Sequence, residues 1–347
     1  MNQFHEGISH IKREDFRIIK REVGAGSSSS VDVCKRVSIG DSGRTLLALK
    51  RYYRAALLRK QSVVYSRGGE VSIQTGVDNL LREITILRSF KGKCGNLIQL
   101  EEVLEDDNCV SVLTQYAGAP LMIFVEEKNA YCARSLSPVK GSLYAQTARD
   151  VIDVFTEDDT IAFLKQILNG MSFLQDNCII HKDIKPENIL INYPVCQWRR
   201  YHGPKLEDMR SSWAHDRPLH VTICDFDTAE LVPDGRIFDA QGTVLFSPPE
   251  VFALIDREQG VDGFARDAWS VGMVAYCMLI GYHPVPVCSS SLEFQFSLLK
   301  LQQEGGQISL PENLVENAVL REVVAGLLLV NPTNRLAARD AMSLLTV

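Results

Sequence analysis

The chain has 347 residues, longer than one hydrophobic core usually serves, so two packed bodies are expected. Apolar residues make up 46% and charged residues 23%, an ordinary globular balance, and a net charge of -6 argues against nucleic acid as the main partner. Nine scattered cysteines with no Cys-x-x-Cys pair read as reduced thiols, which excludes a disulfide scaffold or a zinc module.

In chain order, the start is polar, without the apolar run of a signal peptide, and Asn2 in place of glycine excludes N-myristoylation. A cytoplasmic location is expected, with nuclear access not excluded. Residues 16–53 alternate and are broken by Gly24, Gly26, Gly40 and Gly43, a pattern for three antiparallel strands. Residues 51–77 read as a surface insertion, either loop or docking surface. Helical spacing over residues 78–90 starts behind a cap at Asp78, and strands are expected near 97–104 and 109–115. A second insertion covers residues 126–156, and from Glu157 apolar residues recur at helical intervals. A third insertion covers residues 192–219, and beyond 260 the periodic segments are helical. Val271 to Tyr282 is shorter than the roughly 20 residues of a membrane span and reads as a core helix, so no membrane contact is expected. The fold class is α+β and bilobal, with the join near Gln115 to Pro120.

Four segments carry chemistry. In His181-Lys182-Asp183-Ile184-Lys185-Pro186-Glu187-Asn188, a carboxylate (Asp183), a cation two residues on (Lys185) and a carboxamide (Asn188) suit phosphoryl transfer. Val23-Gly24-Ala25-Gly26 lies between two strands, where glycines let backbone N–H groups approach phosphates and Val31 can cover a purine face. Lys50 sits inside an apolar strand and needs an anionic partner, for which Glu83 on the following helix is the candidate. Ile223-Cys224-Asp225 is an apolar strand ending in a carboxylate.

In their chain order and at their separations, these segments resemble the catalytic elements of eukaryotic-type Ser/Thr protein kinases over residues 16–345, with an N-lobe of 16–116 and a C-lobe of 117–345. Further matches are Gly242-Thr243, Ser247-Pro248-Pro249-Glu250, Asp267-Ala268-Trp269-Ser270-Val271-Gly272 and Asn331-Pro332-Thr333-Asn334-Arg335. The resemblance implies the bilobal kinase fold, a small antiparallel-sheet N-lobe with one main helix and a larger helical C-lobe. It also implies ATP and Mg2+ as cofactors and a protein hydroxyl as acceptor. Asp183 would be the base, Lys185 the phosphate stabiliser, and Asn188 and Asp225 the metal ligands. Val23, Gly24, Gly26, Val31, Ala48, Lys50, Glu83, Thr114, Gln115, Ala117 and Leu190 would form the ATP site. Asp267 would anchor the catalytic loop, and Glu250 would pair with Arg335.

The region after Lys50, with Leu97 to Asp106 and Gly118-Ala119-Pro120-Leu121-Met122, is similar to the calcium/calmodulin-dependent protein kinase kinases, upstream activators of AMP-activated and Snf1-type kinases. That branch implies a downstream kinase as substrate; no calmodulin-binding segment is evident in this chain. Two positions depart from the family pattern. Asp227 stands where a glycine is usual, and Lys182 where an arginine is usual. Asp239 occupies the customary phosphorylation position of the activation segment, so a Lys182–Asp239 contact is expected to replace the phosphate clamp. These departures, with Ser29 in place of the third glycine of the glycine-rich loop and the long insertions, support the alternative of a pseudokinase acting as scaffold or allosteric partner.

Overall fold

The computed structural model describes residues 16–25, 29–37, 46–125, 129–133, 154–192, 219–253, 259–285 and 290–346. Its first part is built on β1 (Phe16–Ala25), β2 (Ser29–Arg36) and β3 (Leu47–Tyr53). There follow α1 (Arg54–Arg59), β4 (Gln61–Tyr65), β5 (Val71–Thr75), α2 (Gly76–Ser89), β6 (Leu100–Glu105) and β7 (Cys109–Gln115). Five of these strands form an antiparallel sheet in the order β1-β2-β3-β7-β6. Side chains alternate across a strand. Leu47 and Leu49 of β3 therefore join an outer cluster with Phe16, Cys34, Leu104 and Leu113, while Tyr52 enters the main core.

The helix α2 begins two residues before the expected start, and its cap is not Asp78. Thr75 is the N-cap, accepting from Asp78 N at 3.3 Å, and the Asp78 carboxylate accepts from Thr75 N at 2.8 Å. This is a capping box, in which two otherwise unpaired N–H groups are satisfied reciprocally. Leu80, Glu83, Ile84 and Leu87 recur at three and four and form the buried face. Residues 51–77 are likewise no loop. β3 runs on to Tyr53, α1 follows, and β4 and β5 make a hairpin pairing Val63 with Ile73 and Tyr65 with Val71. Gly76 N donates to Lys60 O at 2.9 Å and closes the base of this excursion. The outer face of the hairpin leaves Val63, Val71 and Ile73 exposed. The strand expected from residue 97 starts at Leu100, although Leu97 makes an isolated bridge to Ile223.

In the second part, short strands surround the catalytic segment: β8 (Ala119–Pro120), β9 (Met122–Val125), β10 (Ala130–Ala133), β11 (Ile179–Ile180), β12 (Ile189–Ile191) and β13 (Val221–Ile223). β14 (Glu230–Leu231), β15 (Arg236–Ile237) and β16 (Val261–Asp262) complete the set. The helices are α3 (Glu157–Asp176), α4 (Pro249–Phe252), α5 (Gly263–Ile280), α6 (Ser291–Gln303), α7 (Ala318–Leu327) and α8 (Ala338–Thr346). α5 is buried nearly all round, with Trp269, Val271, Met273 and Val274 fully inside, which explains its uniformly apolar sequence. It ends at Gly281 in the left-handed region, and Tyr282 lies beyond it, half exposed. Among the described residues no helix is long and apolar enough to cross a membrane. Of the two later insertions, residues 129–133 carry β10, paired with β9, while 126–128, 134–153 and 193–218 lie outside the described residues.

The two parts join after β7. β8 already belongs to the second part, pairing with β12, which also pairs with β13. Gly118 between them has φ +119°, and a Cβ there would stand 2.1 Å from the Ile191 carbonyl oxygen. Gly118→Ala is expected to destabilise the protein by about 2 kcal/mol or more, from backbone strain and this overlap together. A urea titration reads this as a lowered midpoint, and an unchanged midpoint would contradict the close approach.

Candidate functional site: the cleft between the sheet and the catalytic segment

Residue 267 organises the catalytic segment. Asp267, on the first turns of α5 and fully buried, accepts from His181 N at 2.7 Å and Lys182 N at 3.0 Å. The His181 ring meets the Cys224 carbonyl at 3.0 Å and stacks against Phe226, with centroids 4.7 Å apart. Phe226 also packs on Phe90, just after α2, at 5.1 Å. The segment is thus tied to α5 on one side and to the strand before Asp225 on the other.

Asp183 faces a ring of donors. Thr243 N donates to its Oδ1 at 2.7 Å, Asn188 Nδ2 to its Oδ2 at 3.0 Å, and Lys185 Nζ lies 2.9 Å from Oδ2. Lys185 Nζ also donates to Thr243 Oγ1 at 2.9 Å. Burial alone would raise the Asp183 carboxyl, but the Lys185 charge and the Thr243 bond outweigh it and hold the group below the ordinary value. Asp183 is therefore ionised at neutral pH. It can accept a hydrogen bond from a hydroxyl and orient it, and take the proton late, as that hydroxyl becomes acidic on bond formation.

On the sheet side, Lys50 Nζ lies 3.2 Å from Glu83 Oε1 and 2.6 Å from Asp225 Oδ1. Burial opposes the charge on Lys50, yet the Asp225 and Glu83 carboxylates prevail and push its pKa well above the ordinary value. Asp225 is in turn held low against burial, mainly by Lys50. The pairing with Glu83 means that α2 stands close to the sheet. The strand before Asp225 is β13, ending at Ile223, so Cys224 and Asp225 follow the strand. Asp225 has φ +67°. Lys182 also has φ +67°, and two such strained non-glycine residues flanking one cleft fit a site held by its surroundings.

The remaining expected positions are found as follows. Val23 and Gly24 lie on β1, with Gly24 opposite Val31 on β2, and Gly26 lies outside the described residues. Ala48 and Thr114 face each other across β3 and β7, and Leu190 is half-buried on β12. Gln115 N donates to Gln99 O at 3.0 Å and Tyr116 N to Leu46 O at 3.1 Å. Those two N–H groups are bonded within the protein. The Gln115 side chain turns to Glu101 at 2.9 Å.

Asn188 uses its amide nitrogen on the Asp183 carbonyl and carboxylate, so the amide oxygen is the atom left for a cation. That oxygen and the Asp225 carboxylate are hard donors of the kind Mg2+ takes, and they fit such an ion together with a nucleotide's phosphates.

Lys182 is found with a fully buried side chain whose Nζ lies 2.9 Å from Asp239 and 3.1 Å from Glu230. The partner expected at Asp239 is present, and the second carboxylate was not foreseen. Glu230 reaches Lys182 because β14 pairs with β11, which runs directly into His181. Arg266 was also missed. It is fully buried and donates to the Lys182 carbonyl at 2.9 Å and to the Gln241 carbonyl, tying the catalytic segment to residue 241. A charged residue opening an apolar helix beside Asp267 was its only signal in the sequence.

Asp227 does not adopt a left-handed φ, so this conformation makes no demand for glycine there. Its carboxyl is pushed up by burial and by Asp225, while Lys60, next to α1, stands 4.0 Å away and Arg82 of α2 donates to its carbonyl at 3.5 Å. Glu250 and Arg335 pair through both oxygens, at 2.6 and 3.1 Å, and the guanidinium lies 5.0 Å over Trp269. Arg335→Lys keeps the charge but loses the two-pronged fit and the stacking. An expected loss of about 2 kcal/mol would be read as a lowered Tm.

The family model for the protein kinase domain matches residues 18–344. The chain belongs to the protein kinase family. Among curated proteins it is 26% identical over 272 residues to the calcium/calmodulin-dependent protein kinase type 1 of Macrobrachium nipponense, covering 78% of this chain and 58% of that protein. It is 27% identical over 284 residues to death-associated protein kinase 2 of Homo sapiens, covering 80% and 58%. It is 25% identical over 265 residues to the serine/threonine-protein kinase ATG1 of Pichia angusta, covering 76% and 31%. The matched region is thus under two thirds of each relative's own length.

Proposed function

We propose that this kinase-family chain is catalytically competent: an ATP- and Mg2+-dependent serine/threonine protein kinase that transfers the γ-phosphate to a protein hydroxyl. The carrying observation is the closed set of phosphate-handling groups, with Lys50 3.2 Å from Glu83 and 2.6 Å from Asp225, opposite Asp183, Lys185 and Asn188. In this reading Lys50 binds the inner phosphates and Glu83 orients it. Asp183 aligns and finally deprotonates the acceptor hydroxyl, and Lys185 spreads the charge of the moving phosphate. Asn188 and Asp225 would hold Mg2+, which neutralises phosphate charge. The contact of Lys185 with Thr243 supports a Ser/Thr acceptor, by analogy with the family.

We also propose that the activation segment needs no phosphate, because Lys182 already has Asp239 and Glu230 as permanent anionic partners. A downstream kinase as substrate and a cytoplasmic location belong to the same proposal. They rest on the resemblance of residues 97–122 to the upstream-activator branch and on described cysteines that form no disulfide. The test is transfer of labelled γ-phosphate to a generic protein and to an activation-loop peptide of a downstream kinase, with Asp183→Asn as control. Incorporation well above the control supports the reading. Incorporation equal to it favours a scaffold.

A further inference from the structure

Glu83 has a second buried partner besides Lys50. Tyr52 stands two residues after Lys50 on β3, so the strand's alternation puts both side chains on the face toward α2. Its hydroxyl donates to Glu83 Oε2, while Lys50 holds Oε1 at 3.2 Å, so each oxygen of this carboxylate has a donor of its own. The Tyr52 ring lies 5.0 Å from Lys50 Nζ, within reach of a cation–π attraction. Tyr52 and Glu83 are 4% and 3% exposed, so water cannot replace either contact. Burial and the Glu83 charge push the phenol well above its ordinary pKa, which keeps it a protonated donor.

Lys50 is pulled two ways, toward Glu83 at 3.2 Å and toward Asp225 at 2.6 Å. A carboxylate fixed at one oxygen only could rotate and release the ammonium to Asp225. A leucine or valine at position 52 would leave Oε2 buried without a donor, a costly state that favours such rotation.

We propose that Tyr52 is a positioning residue of the nucleotide site: its hydroxyl locks the Glu83 carboxylate and its ring seats the Lys50 ammonium, so that Lys50 is aimed at the phosphates before nucleotide arrives. This rests on the reading of Lys50 as the phosphate anchor. Preorganisation of this kind acts on nucleotide use and leaves protein-substrate binding alone.

The experiment compares Tyr52→Phe, Tyr52→Leu, Glu83→Gln, the double variant Tyr52→Phe/Glu83→Gln, and Lys50→Met in steady-state peptide phosphorylation, alongside titration with a non-hydrolysable ATP analogue. Tyr52→Phe keeps the ring and the shape. It is expected to lower kcat/KM for ATP about tenfold, equivalent to about 1.4 kcal/mol, with KM for the peptide within about twofold of wild type. Tyr52→Leu, which loses the ring as well, is expected to fall further. In the double variant the hydroxyl is expected to make no further difference, because its effect passes through the Glu83 charge. Wild-type kcat/KM for ATP in Tyr52→Phe would overturn the proposal. So would effects of Tyr52→Phe and Glu83→Gln that multiply, or a peptide KM that rises as much as the ATP term falls. If Lys50→Met kept wild-type nucleotide affinity and turnover, the phosphate-anchor reading would fail, and the proposal with it.

Discussion

Asp183→Asn removes at least about two orders of magnitude of phosphoryl transfer while leaving the fold in place, the range expected for losing a positioned base. The side chain keeps its size, and an amide oxygen can still accept from Thr243 N, now 2.7 Å from Oδ1. Two things are lost. The amide cannot take the acceptor's proton, and its NH2 group, placed at Oδ2, would confront the Asn188 amide nitrogen at 3.0 Å and the Lys185 ammonium at 2.9 Å. Lys185 would then lose its anionic partner and keep only Thr243 Oγ1 beside it. The result should therefore appear in kcat, with the nucleotide affinity close to wild type. Initial-rate kinetics beside nucleotide titration separate the two. A variant with half the wild-type kcat would show that Asp183 is no base.

The second large effect concerns the buried charges behind the catalytic segment. Lys182→Ala leaves Asp239 and Glu230 without the ammonium that lies 2.9 and 3.1 Å away. Removing one member of a buried ion pair costs about 3–5 kcal/mol; here Asp239 bears most of it, since Glu230 keeps Arg82 at 3.8 Å. Asp239→Ala is milder for stability, since Lys182 retains Glu230, but it releases the Gln241 N–H that Asp239 holds at 3.0 Å, one residue before Gly242 and two before Thr243. An activity loss of about tenfold or more, with increased salt sensitivity, is expected. The pH dependence has a definite sign. Burial would raise the Asp239 carboxyl, but Lys182 outweighs it, and the folded-state pKa lies below the ordinary 3.8. The stabilisation is therefore complete above that ordinary value and is lost as pH falls below it toward the depressed one. Wild type and Asp239→Asn should differ most in Tm near neutrality and converge below about pH 3.8. Phosphatase treatment should leave the wild-type rate unchanged. Activity that survives Asp239→Ala at every salt concentration would remove this mechanism.

Sequence carried the fold wherever one side chain type had one reason to be there. Lys50 in an apolar strand required an anion, and Glu83 on a helix with a buried stripe could supply it. Asp267 followed from the resemblance of its segment to the kinase helix that anchors the catalytic loop. What remained hidden depended on pairings between distant segments. Glu230 acts on Lys182 only because Glu230 pairs with Ile180 across β14 and β11, a two-residue ladder that no periodicity announces. The β4–β5 hairpin was missed for a different reason. Val63, Val71 and Ile73 are exposed, while the opposite face mixes Ser62, Val64, Ser72 and Gln74, so the apolar alternation that marks a half-buried strand is missing. Tyr52 looked like one more aromatic in a strand, and only the position of its hydroxyl at Glu83 reveals its use.

The closed base of the excursion after β3 also bears on how such chains diverge. Lys60 and Gly76 are joined by a hydrogen bond of 2.9 Å, so the segment leaves and returns at a single point. For a loop with ends already together, doubling its length adds only about 0.6 kcal/mol of closure entropy. Residues 61–73 can therefore be gained, lost or exchanged over evolutionary time with little penalty. Thr75, the last residue of the hairpin, and Asp78 cap the start of α2 by their own local bonds, so the returning end is fixed in its residue type. Drift over residues 61–73 therefore leaves Glu83 in place, while Gln74, which accepts from Arg82 at 2.8 Å, and Thr75 tie the returning strand to α2.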